Sequence, residues 1–379
     1  MAKIIHANRY QLDHPSLKDV YTQYPQHDWE SFLLVSGNNG WTEGNLPRAG
    51  VNNFPFKNNI AQLPGFGMPV YDPAFSQTFD QITDLRFQNL WKKYPNKHWL
   101  VLWSGGVDST VIVASIIKKL NPGDYSRVRI ACNRQSVYEN PRFFYKYIEP
   151  NFSLIDSSEL KYNYELFEQY LVITGEPGDE LCMPEQPSSL LFFDNFNNHK
   201  KNFRKDPDQL LAYISSYSGK KTAQWFYEKL IENINSVDIP LETYYDFFWW
   251  AGFNYYWIDN MYIQSTWQED TVSALSLNLL FTELVNWYNT TEYQQWAMVT
   301  RREGFHYGTD LGGYKLSLKK YIYEIDHDDY YLKFKTKFLS LSRDTTPRTW
   351  FCILDDLSRL SLDKDLELIL DLLPDFIQT

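Results

Sequence analysis

Apolar positions along this chain follow two periods, and the switches between them mark out its elements. Phe79, Ile82, Leu85, Leu90 and Trp91 recur at roughly helical spacing until Pro95, which predicts a helix there. Residues 98–103, His-Trp-Leu-Val-Leu-Trp, form a short apolar run that fits a buried strand of a parallel sheet. A helix follows over 107–120 and stops at Asn121-Pro122-Gly123. Residues 127–132 read as a second strand, and 140–147 as a helix with Pro141 in its first turn. A short strand at 153–156, a helix over 159–170 and a strand at 171–174 complete the series. This alternation predicts an α/β fold with a doubly wound parallel sheet.

The flanks read differently. Residues 1–77 are turn-rich, with one strand predicted near 31–36, and suggest a small irregular or β subdomain. Beyond about 185 the pattern is mostly helical. The segment 242–264 is aromatic on nearly every side, as a buried helix would be, and 361–373 reads as an amphipathic helix closed by Pro374. The predicted organisation is therefore an N-terminal subdomain (1–77), a central α/β domain (78–325) and a helical C-terminal extension (326–379).

Composition narrows the function classes. The 379 residues are 44% hydrophobic and 22% charged, which fits a packed core. Aromatics reach 17%, so either the core is aromatic-heavy or some rings line a pocket for a flat ligand. A net charge of −11 disfavours a nucleic-acid coat, which rests on Lys and Arg. Cys132, Cys182 and Cys352 form no CxxC pair, so a zinc knuckle or dithiol site is not expected. With no signal-peptide pattern and no long apolar run, the expected location is cytoplasmic, away from membranes.

The chemistry concentrates in Ser104-Gly105-Gly106-Val107-Asp108-Ser109-Thr110, between a predicted strand and a predicted helix. Adjacent glycines allow a tight turn that offers successive N–H groups to an anion, and the helix start adds more donors. Ser104, Ser109 and Thr110 add hydroxyls, and Asp108 can hold a Mg2+ that accompanies phosphate. The alternative is an ordinary capped turn. The string is neither a P-loop nor a dinucleotide fingerprint.

This string resembles the SGGxDS loop of the N-type ATP pyrophosphatases. Thr174-Gly175-Glu176-Pro177-Gly178-Asp179-Glu180-Leu181 is similar to the SGEGxDEL segment in the synthetase domain of asparagine synthetases and β-lactam synthetases. The resemblance implies an adenine-nucleotide α-hydrolase-like fold that binds ATP and Mg2+ and releases pyrophosphate from an adenylated substrate. Carried over, it assigns ATP contacts to Leu102, Ser104, Gly105, Gly106, Asp108, Ser109, Thr110 and Gly175. Asp108 and Asp179 would take the metal, and Glu176 would contact the reacting substrate. Residues 282–285 and Lys315-Leu316-Ser317-Leu318-Lys319-Lys320 resemble the family's late helices, which gives Lys315, with Lys319 as fallback, a role on the phosphates and developing charge. A solvated basic helix face is the alternative for that segment.

The resemblance spans about 78–325 and has departures. Pro177 stands where the family has Gly, and Asn133-Arg134-Gln135-Ser136-Val137-Tyr138 replaces an Asp/His pattern. Residue 2 is Ala rather than the cysteine of a glutaminase domain, so ammonia from glutamine by that route is not expected. The implied activity is an ATP-dependent ligase joining a small-molecule or peptide acid to an amine or ammonia. The alternatives are a degenerate nucleotide-binding module acting through partners and a tRNA-base-modifying enzyme. Asp326-His327-Asp328-Asp329 reads as a solvated turn rather than a metal site.

Overall fold

The computed structural model describes residues 3–8, 32–34, 68–162, 164–182, 200–218, 220–257, 284–301, 315–335 and 349–354. Two strands open it, β1 (Lys3–Asn8) and β2 (Phe32–Leu34). Helix α1 (Phe79–Lys93) follows, its start fixed by a reciprocal capping box between Thr78 and Gln81. Then come β3 (His98–Leu102), α2 (Val107–Lys119), β4 (Val128–Cys132), the short α3 (Arg134–Glu139), and α4 (Pro141–Phe143), which runs into a π-helical turn at Phe144–Ile148. Strand β5 (Ser153–Asp156), helix α5 (Tyr164–Gln169), strand β6 (Tyr170–Thr174) and helix α6 (Gly178–Cys182) complete the first half.

The second half carries α7 (Pro207–Ser218), α8 (Lys220–Ile234), α9 (Tyr244–Ala251), β7 (Leu284–Asn286) and α10 (Thr291–Thr300). Helices α11 (Leu316–Asp326) and α12 (Asp329–Phe334) follow, and β8 (Thr349–Leu354) is last. Among the described residues no helix is long and apolar enough to cross a membrane.

Five strands form one parallel sheet in the order β5-β4-β3-β6-β7. The chain starts at the centre, moves outward through β4 and β5, then returns to the other side of β3. Alternate residues of each strand enter separate cores. Trp99, Val101, Ile130, Leu171 and Ile173 pack with α1, α2, α4 and α11, while Leu100, Leu102, Ala131 and Val172 pack with Leu166 of α5. Helices thus lie on both faces, the arrangement of a doubly wound α/β sheet, as the sequence pattern predicts. The carboxyl ends of β3 and β6 meet where the strand order reverses, and crevices of this kind are where ligands bind in such sheets.

Three findings differ from the sequence reading. Residues 284–286, read as part of a late helix, form the edge strand β7 beside β6; Val172, Ile173 and Thr174 face Leu284, Val285 and Asn286. Three residues are too few for any apolar period to show. Residues 349–354 lie in the stretch read as helical but form β8, between β1 and β2 in a three-stranded antiparallel sheet. Their Thr, Trp, Phe and Ile are strand-favouring residues. Residues 134–139, read without a helix, form α3, started by a capping box between Asn133 and Ser136. The aromatic segment is helical from Tyr244, and every residue of α9 is buried, so its rings belong to the core. The segment continues as a π-helical turn at Gly252–Tyr256, while 258–264 and the helix expected at 361–373 fall outside the described residues.

Candidate functional site

The turn after β3 delivers Ser104, Gly105 and Gly106 to the reversal point of the sheet. Trp103 extends the strand by one bond, from its N–H to the Ala131 carbonyl at 2.9 Å. Gly105 has φ +77°, a region that L side chains rarely adopt. A Cβ there would stand 2.6 Å from Glu139 Cβ and closer still to the Ser136 carbonyl oxygen. Only glycine lets the turn sit this tightly on α3. Gly106 is the N-cap of α2 and supplies no side chain to the first turn, so no side-chain cap occupies the donors at that end of the helix.

The hydroxyls are spent on the loop itself. Ser109 Oγ accepts from Ser104 N–H at 3.1 Å, lies 3.1 Å from Ser104 Oγ and donates to the Gly106 carbonyl at 3.2 Å. Ser104 Oγ accepts from Gly106 N–H at 3.3 Å. Thr110 donates to the Gly106 carbonyl at 2.8 Å and accepts from the Trp103 indole at 3.1 Å. The side chains of Thr110 and Leu102 are buried behind the turn and support it from the core. Ser104, Gly106 and Asp108 are half-buried and line its open side.

Strand β6 brings the second segment alongside. Gly175 and Glu176 are half-buried, with Glu176 N–H donating to Thr174 Oγ1 at 3.3 Å. Gly178 begins α6 with its N–H on the Gly175 carbonyl at 3.0 Å. A Cβ at Gly178 would lie 2.6 Å from Asp108 Cγ, so α6 can start here only because the residue is glycine. Asp179 follows in the first turn. Helix α9 fixes the far end of α6, with Tyr245 donating to the Cys182 carbonyl at 3.2 Å and Trp249 to the Leu181 carbonyl at 3.0 Å. Two of the chain's many rings therefore hold the second motif in place.

Lys315 joins the two segments. It is the N-cap of α11, in the left-handed region at φ +48°, and is 1% exposed. Its Nζ donates to Asp108 Oδ2 and to Asp179 Oδ1. Three charged residues from distant parts of the chain thus meet at one point. Tyr288, just beyond β7, braces the point from below by donating to the Asp108 carbonyl at 2.9 Å. Arg86 of α1 holds that region through the Trp287 and Asn286 carbonyls at 3.0 and 3.1 Å. Lys319 goes elsewhere. It is fully buried one turn on and donates to the Lys335 carbonyl at 3.4 Å, so Lys315 is the lysine that reaches the carboxylates.

The electrostatics follow from burial. Glu180 is buried beside Asp179, and desolvation first, then the charges of Asp179 and Glu176, push its carboxyl well above its ordinary range. Burial first, then the Asp108 charge, raises the Tyr288 hydroxyl. Burial also pushes the Cys182 thiol up, which suits a small packing group and not a sulfur nucleophile. The Asp326–Asp329 turn behaves as a turn. Asp328 caps α12 through Tyr330 and Tyr331 N–H and pairs with Arg142.

Asp108 and Asp179 fit a Mg2+ that arrives with a polyphosphate. They already converge on one cation, the Lys315 ammonium, and Mg2+ characteristically takes one or two carboxylates and fills its shell with phosphate and water. Among the described residues no group of three or more His, Cys, Asp or Glu could hold a metal ion by itself. The sequence reasoning missed Tyr288, Arg86, Glu139 and Lys335. Each acts through a partner far along the chain, and no local pattern announces it.

Against protein-family models, curated proteins and solved structures, the chain has no match.

Proposed function

We propose that this chain binds ATP with Mg2+ at the Ser104–Gly106 turn and cleaves it between the α- and β-phosphates to activate an acid for ligation. The single observation that carries this reading is the meeting of Asp108, Asp179 and Lys315 beside an uncapped helix start at the sheet reversal. That constellation offers donors for phosphate, carboxylates for a metal and a cation for developing charge. It also agrees with the resemblance to the synthetase domain of asparagine and β-lactam synthetases.

In this reading the Gly105 backbone N–H, with the start of α2, binds the polyphosphate. Asp108 and Asp179 would hold Mg2+, which offsets charge on the leaving pyrophosphate. A carboxylate oxygen of the acid attacks the α-phosphorus, and the bond to the bridging α–β oxygen breaks. An amine or ammonia then attacks the acyl carbon, AMP leaves, and Glu176 accepts the proton that the nitrogen sheds. Lys315, displaced from the carboxylates toward phosphate oxygens, stabilises charge in both steps. Catalysis here is positioning and charge neutralisation.

The test is incubation with ATP, Mg2+ and pools of acids and amines, reading AMP and pyrophosphate. Release of both, lost in Asp108→Ala, supports the proposal. Release of ADP and phosphate instead would sink it. One observation favours the rival reading, a nucleotide-binding module without turnover: the Lys315 ammonium already occupies the point where both carboxylates converge. ATP binding without AMP formation across the pools would select that reading.

A further inference from the structure

A second ion pair stands behind the turn. Glu139, at the end of α3, packs directly against Gly105, and its side chain is fully buried. Lys335, at the C-cap of α12, donates to the Glu139 carboxylate and, at 2.8 Å, to the Glu139 carbonyl. Lys319 donates to the Lys335 carbonyl, which ties the end of α12 back to α11. The α11–α12 segment therefore grips the turn from two sides, through Lys315 at Asp108 and through Lys335 behind Gly105.

Two physical consequences meet at this pair. The first is mechanical: α3 is the wall that keeps Gly105 at positive φ, and Lys335 pins α3 in place. The second is electrostatic. A buried carboxylate next to a cluster of N–H donors cancels their attraction for an anion, and at low dielectric that cost is large. An ammonium bonded to the carboxylate removes it. We infer that Lys335 is a positioning residue for the phosphate turn, acting through Glu139 to fix Gly105 and to keep negative charge from behind the anion seat. The mechanical half stands on the geometry alone; the electrostatic half rests on the nucleotide reading proposed above.

The two halves separate by experiment. In the full chain, Lys335→Met is expected to speed amide exchange in the peptide covering 103–106 about tenfold, the factor that loss of a charged hydrogen bond implies. Exchange in the α1 peptide 79–93 should not change. Lys335→Arg, which keeps the charge and a donor, should restore the wild-type rate. Inorganic pyrophosphate, measured by titration calorimetry, should bind about tenfold more weakly to Lys335→Met, and adding Glu139→Gln should recover that affinity but not the slow exchange. If Lys335→Met does not fold, Glu139→Gln alone, which removes the charge and keeps the shape, should still speed exchange at 103–106.

Unchanged exchange at 103–106 once the pair is broken would overturn the mechanical half. Unchanged pyrophosphate affinity in Lys335→Met would overturn the electrostatic half. Should the wild-type chain bind neither ATP nor pyrophosphate, the proposed function and the electrostatic half fail together, and the exchange measurement still decides the mechanical one.

Discussion

Removing the Lys315 charge isolates the energetics of the site. Lys315→Met leaves Asp108 and Asp179 facing each other without the ammonium they share. Two carboxylates that bond one ammonium lie roughly 5 Å apart, and at an effective dielectric near 20 their repulsion is about 3 kcal/mol. Truncating one member of a buried pair characteristically costs about 3–5 kcal/mol. Asp108 and Asp179 are 18% and 20% exposed, so water screens part of the loss. The expected destabilisation is about 2–3 kcal/mol at neutral pH, after that discount from the buried-pair range. Urea unfolding at several pH values is the assay. The loss should shrink as pH falls through the carboxylate range, because protonating either group removes the repulsion. Asp179→Asn added to Lys315→Met should recover most of it, and millimolar Mg2+ should stabilise Lys315→Met more than the wild-type chain. A Lys315→Met variant as stable as wild type at neutral pH, with no response to pH or Mg2+, would refute the shared-ammonium account.

Three further outcomes follow from the same geometry. Gly105→Ala forces a side chain into Glu139 and the Ser136 carbonyl at positive φ; the expected cost is about 1–3 kcal/mol, with a larger proportional loss of ATP affinity in calorimetry. Glu180 has its folded carboxyl raised above the ordinary 4.5, so as pH rises past that value the unfolded chain releases this proton first and stability falls. Glu180→Gln should match wild type below about pH 4 and exceed it progressively above, in denaturant midpoints taken across pH; a constant offset would contradict this. Arg301 Nε lies 3.0 Å from Asp246 Oδ1, with both side chains buried, and Arg301→Met should cost about 3–5 kcal/mol by chemical denaturation, far more than Asp246→Asn with Arg301→Met together.

What could be read from the sequence was local. The strand–glycine–helix turn at 104–106 is legible because its conformation, donors and carboxylate are set within seven residues. The central strands are legible because burial on both faces leaves unbroken apolar runs such as 99–102. Asp179 and Lys315 entered through the resemblance, and nothing within either segment says that the two would share a bond. Strand β7 was missed because Leu284, Val285 and Asn286 carry no period; pairing with β6 makes them a strand. Helix α3 was missed because its start is a polar capping box without an apolar stripe. Glu139 and Lys335 illustrate the remainder. A buried ion pair between residues so far apart is specified by packing, and a sequence read in windows contains no trace of it.

The small antiparallel sheet has a consequence for how the chain is made. Among the described residues, β1 and β2 pair with β8, which lies between them, and not with each other. On a ribosome adding about 5–20 residues per second, β8 emerges on the order of tens of seconds after β2. Until then β1 and β2 lack the partner they share in the folded chain, while the parallel sheet has time to form. Among the described strands the one made last joins the first two, and interruption of synthesis before Thr349 leaves β1 and β2 without that partner and open to pairing with other chains.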